Sequence, residues 1–233
     1  MKICGIQKLS LIDYPDKVAC TIFIYGCNFR CGFCHNPDLV IRENKQEISQ
    51  QEILDFLEKR KGILDGVCIT GGEPLMNIDI EFLIKIKSLG YSIKIDTNGS
   101  FPGKLKQIVE LGLIDYVAMD IKSSPERYEE ITNSKIFLAN IEDSIKIISQ
   151  LPSYEFRTTI LEELHPKDEV EKMAKWLNML VGQNPKKFIL QGFKSQGNLI
   201  DAKFNQTKGT SKEYLQELKD QIQDYFEWVD IRI

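Results

Sequence analysis

Nothing in these 233 residues reads as a membrane segment. No apolar run approaches the length needed to cross a bilayer, and Met1-Lys2-Ile3-Cys4-Gly5-Ile6-Gln7-Lys8 lacks the continuous apolar core of a signal peptide. Excess positive charge is missing too: a formal net charge of −4 argues against broad attraction to a nucleic-acid backbone or an anionic membrane. There is no internal repeat, no low-complexity tract and no proline- or glycine-rich linker. What remains, 42% hydrophobic and 27% charged, is the make-up of a soluble, cytoplasmic protein able to bury the core of one sizeable domain.

Cysteine is sparse but unevenly spent. Three of the six fall in Cys27-Asn28-Phe29-Arg30-Cys31-Gly32-Phe33-Cys34, followed by His35. Thiolates so close together suit a soft metal centre: zinc, copper(I) or an iron–sulfur cluster. His35 would have to complete a Cys₃His zinc site, yet it directly follows Cys34, whereas structural zinc sites usually draw on two separated pairs. A disulfide scaffold fits poorly with a large chain lacking a secretory segment. A cubane cluster held by three cysteines would leave one iron open to an exogenous ligand. Cys4, Cys20 and Cys68 lie among apolar neighbours and read as buried small hydrophobes.

Hydrophobic periodicity predicts alternating strands and helices. Val18 to Tyr25, Val67 to Thr70, Tyr91 to Ile95, Ile114 to Met119, Tyr154 to Leu161 and Lys187 to Gln191 read as strands, with Trp228 to Ile233 a short terminal one. Between them come a helix opened by the capping box Ser49-Gln50-Gln51-Glu52 and five amphipathic stripes, the last running from Tyr214 to Tyr225. Such alternation predicts an α/β fold with a parallel sheet. Gly192 to Ser211, rich in Gly, Lys, Gln, Asn and Ser, reads as a long mobile loop, either a lid or docking segment or a plain exposed connection.

In parallel α/β folds ligands gather at the carboxyl ends of the strands. Four motifs follow successive predicted strands: the cysteine loop, Gly71-Gly72-Glu73-Pro74, Asp96-Thr97-Asn98-Gly99 and Asp120-Ile121-Lys122. Gly71 and Gly72 permit close backbone approach, to a ligand or within a tight turn. Glu73 can accept hydrogen bonds from an ammonium group, and Asp96, Thr97 and Asp120 supply oxygen acceptors. Asp-Thr-Asn-Gly alone is commonly a turn. Lys122 is placed to meet a carboxylate or ribose oxygen. Arg157 could fork onto a ligand carboxylate or pair with a glutamate at the core edge.

Cys-x3-Cys-x2-Cys resembles the signature of the radical S-adenosylmethionine enzymes. Ser10-Leu11-Ile12-Asp13-Tyr14-Pro15, Tyr25-Gly26-Cys27 and Cys34-His35-Asn36-Pro37 are similar to the opening of activases that install a glycyl radical. The likeness spans nearly the whole chain and points to the activating proteins of the anaerobic ribonucleoside-triphosphate reductase. It implies a partial, open parallel β/α barrel of about six strands, with residues 1–233 forming a single domain. It implies that Cys27, Cys31 and Cys34 hold a 4Fe-4S cluster whose open iron chelates S-adenosyl-L-methionine, which one electron then cleaves. The cofactor contacts it implies are Gly71, Gly72, Glu73, Asp96, Thr97, Asn98, Asp120, Lys122 and Arg157. Gln191 stands where relatives can carry an adenine-contacting histidine. Asp96, Thr97, Asp120 and the Ala118 carbonyl would hold a monovalent cation, and His35 would make a hydrogen bond near the cluster. His165, just before Pro166 at a helix start, reads as structural.

The implied partners are the anaerobic reductase and a flavodoxin- or ferredoxin-type electron donor. Alternatives are an activase for another glycyl-radical enzyme, such as pyruvate formate-lyase, a radical enzyme acting on a small molecule such as a deazapurine, or a zinc-binding interaction module.

Overall fold

The computed structural model describes residues 1–41, 47–195 and 197–233. Its strands are hydrogen-bonded in chain order: β1 (Ile3–Ser10), β2 (Ala19–Ile24), β3 (Gly66–Gly71), β4 (Ser92–Thr97), β5 (Tyr116–Asp120), β6 (Tyr154–Ile160), β7 (Lys187–Gly192) and β8 (Trp228–Arg232). Helices α1 (Pro37–Val40), α2 (Gln50–Glu58), α3 (Ile80–Ser88), α4 (Pro102–Glu110), α5 (Tyr128–Thr132), α6 (Leu138–Ser149), α7 (Lys167–Val181) and α8 (Lys212–Ile222) fill the connections. None of the described helices is long and apolar enough to cross a membrane.

The fold is α/β with a mostly parallel, open sheet, as expected, but of eight strands rather than about six. The six strands expected at its heart are β2 to β7, and β8 pairs parallel with β7 over Lys187↔Trp228 to Gln191↔Arg232. The addition is β1, which runs antiparallel to β2 from Ile3↔Ile24 to Ser10↔Ala19. Gln7, Lys8 and Leu9 of β1 are all exposed, so the strand carries no apolar alternation to betray it.

The chain divides into two compact units. The first comprises 1–28, 38–97 and 103–117; the second comprises 29–37, 98–102 and 118–233. In the first, β2, β3 and β4 run parallel, and Ile22, Ile24, Val67, Ile69, Ile93 and Ile95 are fully buried. Strands with apolar residues on both faces are expected where helices cover a parallel sheet. Helix α2 starts as its sequence predicts: the Glu52 N–H donates to Ser49 Oγ (3.2 Å), and the Ser49 N–H donates back to Glu52 Oε2 (2.9 Å).

In the second unit β6, β7 and β8 are parallel, and α6, α7 and α8 contribute buried faces such as Ile141-Ile145-Ile148 and Leu215-Leu218-Ile222. Phe188 and Phe226 stack with ring centroids 4.8 Å apart. The stretch from Gly192 to Ser211, of which Gln196 lies outside the described residues, is more than an exposed connection. Phe193, Leu199 and Phe204 are buried, and the Thr210 N–H donates to the Phe193 carbonyl (3.0 Å).

Candidate functional site

In the first unit the parallel register pairs Ile24 with Gly71, setting the end of β3 beside the strand that leads into the cysteine loop. A Cβ on Gly72 would collide with the Gly26 carbonyl oxygen, and one on Gly71, whose φ is +126°, with the backbone of Ile24. Two glycines are therefore required. The gap they leave is filled by backbone hydrogen bonds, from Gly72 N–H to the Ile24 carbonyl (2.9 Å) and from Glu73 N–H to the Gly26 carbonyl (2.7 Å). The close approach that the Gly-Gly pair permits thus serves the chain itself, fastening the entry to Cys27.

Glu73 is only 1% exposed. Its Oε1 accepts from Thr97 Oγ1 (2.8 Å) and from the Leu75 N–H (3.0 Å), which ties the turn after β3 to the last residue of β4. Three residues back along β4, Lys94 is almost as deeply buried, forms an ion pair with Asp96 and lies 3.7 Å from Cys68 Sγ. Residues two apart on a strand share a face, so Lys94 and Asp96 project together. Cys68 consequently faces a charged pair, unlike Cys20, whose thiol is pushed up to about 12 by burial. Cys4 is only half-buried and donates to the Phe23 carbonyl (3.2 Å).

The second unit contains the rest of the cysteine loop. The Cys34 N–H donates to the Cys31 carbonyl (3.1 Å) and the Arg30 N–H to the Thr132 carbonyl (2.9 Å), giving the loop a turn and an anchor. The segment after β7 packs on it: Asp201 N–H donates to the Gly32 carbonyl (2.9 Å), and Phe204 and Phe33 meet edge-on at 6.1 Å. A Cβ on Gly32 would come within 2.6 Å of the Phe204 ring. His35 Nε2 meets the Lys194 carbonyl (2.7 Å) rather than a group of the cysteine loop, and its ring lies 5.3 Å from that of Phe193.

Beside this loop is a compact ionic group. Asp120 Oδ1 accepts from Arg157 Nε (2.5 Å), and Oδ2 accepts from Lys122 Nζ (3.0 Å). Burial alone would raise the Asp120 carboxyl, but the two cations override it and hold it well below the carboxylate range. Burial likewise works against the Lys122 ammonium, and Asp120 together with Cys31 more than restores it, raising its pKa. Arg157 therefore pairs with Asp120, and Glu155 takes Arg232 in a two-point fork at 2.7 Å on each arm.

Asn98 is buried and turns inward on its own loop, accepting from the Ser100 N–H (3.0 Å) and hydroxyl (2.5 Å). Gln191, in register with Thr159, shares the face of Arg157 by strand alternation. Each carboxylate named for a monovalent cation, Asp96 and Asp120, carries a protein cation.

The donor set fits a soft cluster. None of the six cysteines is disulfide-bonded, so no disulfide competes for Cys27, Cys31 or Cys34. Burial pushes the Cys31 thiol up to about 11, opposed by Lys122, so metal binding must displace its proton and Lys122 favours the thiolate that results. Among the described residues no trio of His, Cys, Asp and Glu is already drawn together as a metal site.

Sequence reasoning passed over Lys94, although a lysine inside the apolar run Ile93-Lys94-Ile95 is a visible sign of a buried charge. Glu169, 2% exposed and accepting from Ser123 Oγ (3.1 Å) and Ser124 N–H (2.7 Å), left no such sign on the polar-looking start of α7.

The family described as the Radical SAM superfamily matches residues 21–178. A Methanocaldococcus jannaschii protein, MJ1227, whose provisional name is glycyl-radical enzyme activating enzyme, is 36% identical over 183 residues, 74% of each chain. The pyruvate formate-lyase-activating enzyme of Listeria monocytogenes is 32% identical over 145 residues, 56% of this chain and 57% of that protein. Among solved structures, a domain of the pyruvate-formate lyase-activating enzyme from Bacteroides vulgatus superposes with a TM-score of 0.57 at 19% identity, covering 71% of this chain and 98% of that one. Streptococcus suis SuiB bound to precursor peptide SuiA gives 0.66 at 15% identity, covering 91% and 48%. At such identities these structures speak for the fold alone.

Proposed function

Because the chain belongs to the Radical SAM superfamily and, within it, to the glycyl-radical activating enzymes, we propose that it installs a glycyl radical on the anaerobic ribonucleoside-triphosphate reductase, with residues 1–233 acting as one catalytic domain. Cys27, Cys31 and Cys34 are the ligands of its 4Fe-4S cluster. When bound, that cluster and S-adenosyl-L-methionine supply one-electron cleavage of a sulfonium and the hydrogen-abstracting chemistry that follows. The protein's task is to hold and orient.

Glu73, fixed by Thr97 and Leu75, presents a buried carboxylate suited to an ammonium group. Lys122 and Arg157 bring two cations to one aspartate, so the cluster of three retains positive charge for a carboxylate. Asp96 and Thr97 end β4, in the same unit as the Gly71-Gly72 turn, and they and Asn98 are proposed cofactor contacts; Gln191 is the proposed adenine contact. A monovalent cation at Asp96 and Asp120 would have to share them with Lys94, Lys122 and Arg157. The electron donor is proposed to be of flavodoxin or ferredoxin type.

The observation that carries this reading is the cysteine loop opening from β2, its entry fastened to the Gly72 and Glu73 backbone. Anaerobically reconstituted protein should contain iron and acid-labile sulfide, and with reductant, cofactor and the reductase it should give a glycine-centred radical by electron paramagnetic resonance. Replacing Cys27, Cys31 and Cys34 together by alanine should abolish both. Iron content unchanged by that replacement, or one zinc without sulfide, would refute the proposal. The similarity to the Listeria enzyme favours a second reading, in which pyruvate formate-lyase is the protein that acquires the radical. Presenting both target proteins in parallel separates the two.

A further inference from the structure

His165 lies outside every motif discussed so far, yet it is 0% exposed and both of its ring nitrogens are spoken for. Nδ1 accepts from the Leu161 N–H (3.1 Å), just past the end of β6, and Nε2 faces the Lys122 carbonyl (3.0 Å). A backbone N–H only donates and a carbonyl only accepts, so the ring is fixed as the neutral tautomer with its proton on Nε2. Its ring and that of Phe33, between Cys31 and Cys34, stand nearly perpendicular with centroids 6.4 Å apart.

The Lys122 peptide it grips has one other backbone hydrogen-bond partner, Tyr128 Oη, and its ammonium is paired with Asp120. Lys122 follows the end of β5, where the ladder no longer fixes it, and its own N–H reaches Tyr128 Oη at 3.4 Å, a long contact. The preceding Ile121 is pinned by hydrogen bonds from its N–H to the Arg157 carbonyl and from Thr158 Oγ1 to its carbonyl, both 2.8 Å. The His165 bond completes the set at the Lys122 carbonyl.

We propose that His165 is a positioning residue: through its Nε2–H it sets the Lys122 peptide, and so aims the Lys122 ammonium at Asp120 and the Cys31 side of the site. The role in cofactor binding rests on the radical S-adenosylmethionine reading; the positioning itself does not. Two substitutions divide the ring's functions. In His165→Asn the side-chain oxygen takes the place of Nδ1 and keeps the Leu161 bond, but nothing reaches the Lys122 carbonyl. In His165→Gln the amide nitrogen takes the place of Nε2 and keeps the Lys122 bond at the expense of Leu161.

The first readout needs no cluster. Acetylation of Lys122 in the apo protein, followed by mass spectrometry, should stay slow in the wild type and in His165→Gln and become several-fold faster in His165→Asn. The second is equilibrium binding of S-adenosyl-L-methionine to anaerobically reconstituted protein, where His165→Asn should weaken binding by about tenfold and His165→Gln should restore most of it. Equal labelling of Lys122 in both variants overturns the positioning role. Divergent labelling with no cofactor binding even in the wild type upholds positioning and refutes the functional reading instead. Should either variant fail to fold, nitrogen-15 spectra of the wild type decide, because the chain has only two histidines: a neutral Nε2–H signature for the buried ring supports the assignment, and an Nδ1–H signature overturns it.

Discussion

Two tripeptides spell each other backwards. Lys94-Ile95-Asp96 belongs to the first unit and Asp120-Ile121-Lys122 to the second; each pairs a lysine with an aspartate two residues away. Their supports differ. The first lies wholly within β4, where strand geometry puts residues two apart on one face, and its lysine is 2% exposed. The second straddles the end of β5, so its aspartate ends the strand and its lysine must be placed by residues distant in sequence: Arg157 on Asp120, and Tyr128 and His165 on the Lys122 peptide. A strand can hold an ion pair by itself; a loop has to borrow its rigidity.

Removing the lysine from each pair tests that contrast most directly. Lys94→Met takes a buried ammonium from a carboxylate that is 14% exposed, and denaturant unfolding should register a loss of about 3–5 kcal/mol. Lys122→Met leaves Arg157 on Asp120, so the same measurement should give a smaller loss, about 1.5–3 kcal/mol, the range for a hydrogen bond to a charged group. Equal losses would mean that the second pair is no better supported than the first.

Acid separates the regions next. Burial holds the His165 pKa below its ordinary value, so the unfolded chain takes up the proton first. This contribution is fully present above about pH 6.5 and is lost as pH falls towards the depressed folded value, at about 1.4 kcal/mol per pH unit. Asp120, also depressed, adds a loss that starts only below about pH 4. Unfolding free energies between pH 7 and 5 should therefore decline in the wild type and flatten in His165→Asn, while Lys94→Met keeps the decline.

The smallest effect is a purely local one. Ser49→Ala removes the side-chain oxygen that caps α2 and should cost about 1 kcal/mol without altering Lys122 labelling. An altered labelling pattern would show that the two regions are less independent than the ion pairs suggest.

How far the sequence could be read follows the same division. Strands β2 and β3 were visible because mostly apolar residues on both faces leave a nearly unbroken run, and α2 because its capping box is local. The half-exposed edge strand β1 and the single turn of α5 gave no periodic signal. Glu73 and Gly71-Gly72 stood out by motif, yet what those glycines approach is the backbone of Ile24 and Gly26, a contact set by strand register. The stretch after β7 looked like an exposed loop because Phe193, Leu199 and Phe204 are scattered among polar residues; what they pack against is unwritten in their spacing.

Sequence by itself determined the alternation of strand and helix, the thiol donors and their spacing, and the motifs that close each strand, since all of these are properties of neighbouring residues. Tertiary structure decided which carboxylate Arg157 meets, why Lys94 is tolerated in a core, and that His165 grips Lys122. The Arg157–Asp120 and His165–Lys122 pairings join residues 37 and 43 positions apart, and only tertiary packing brings their polar atoms within hydrogen-bonding distance.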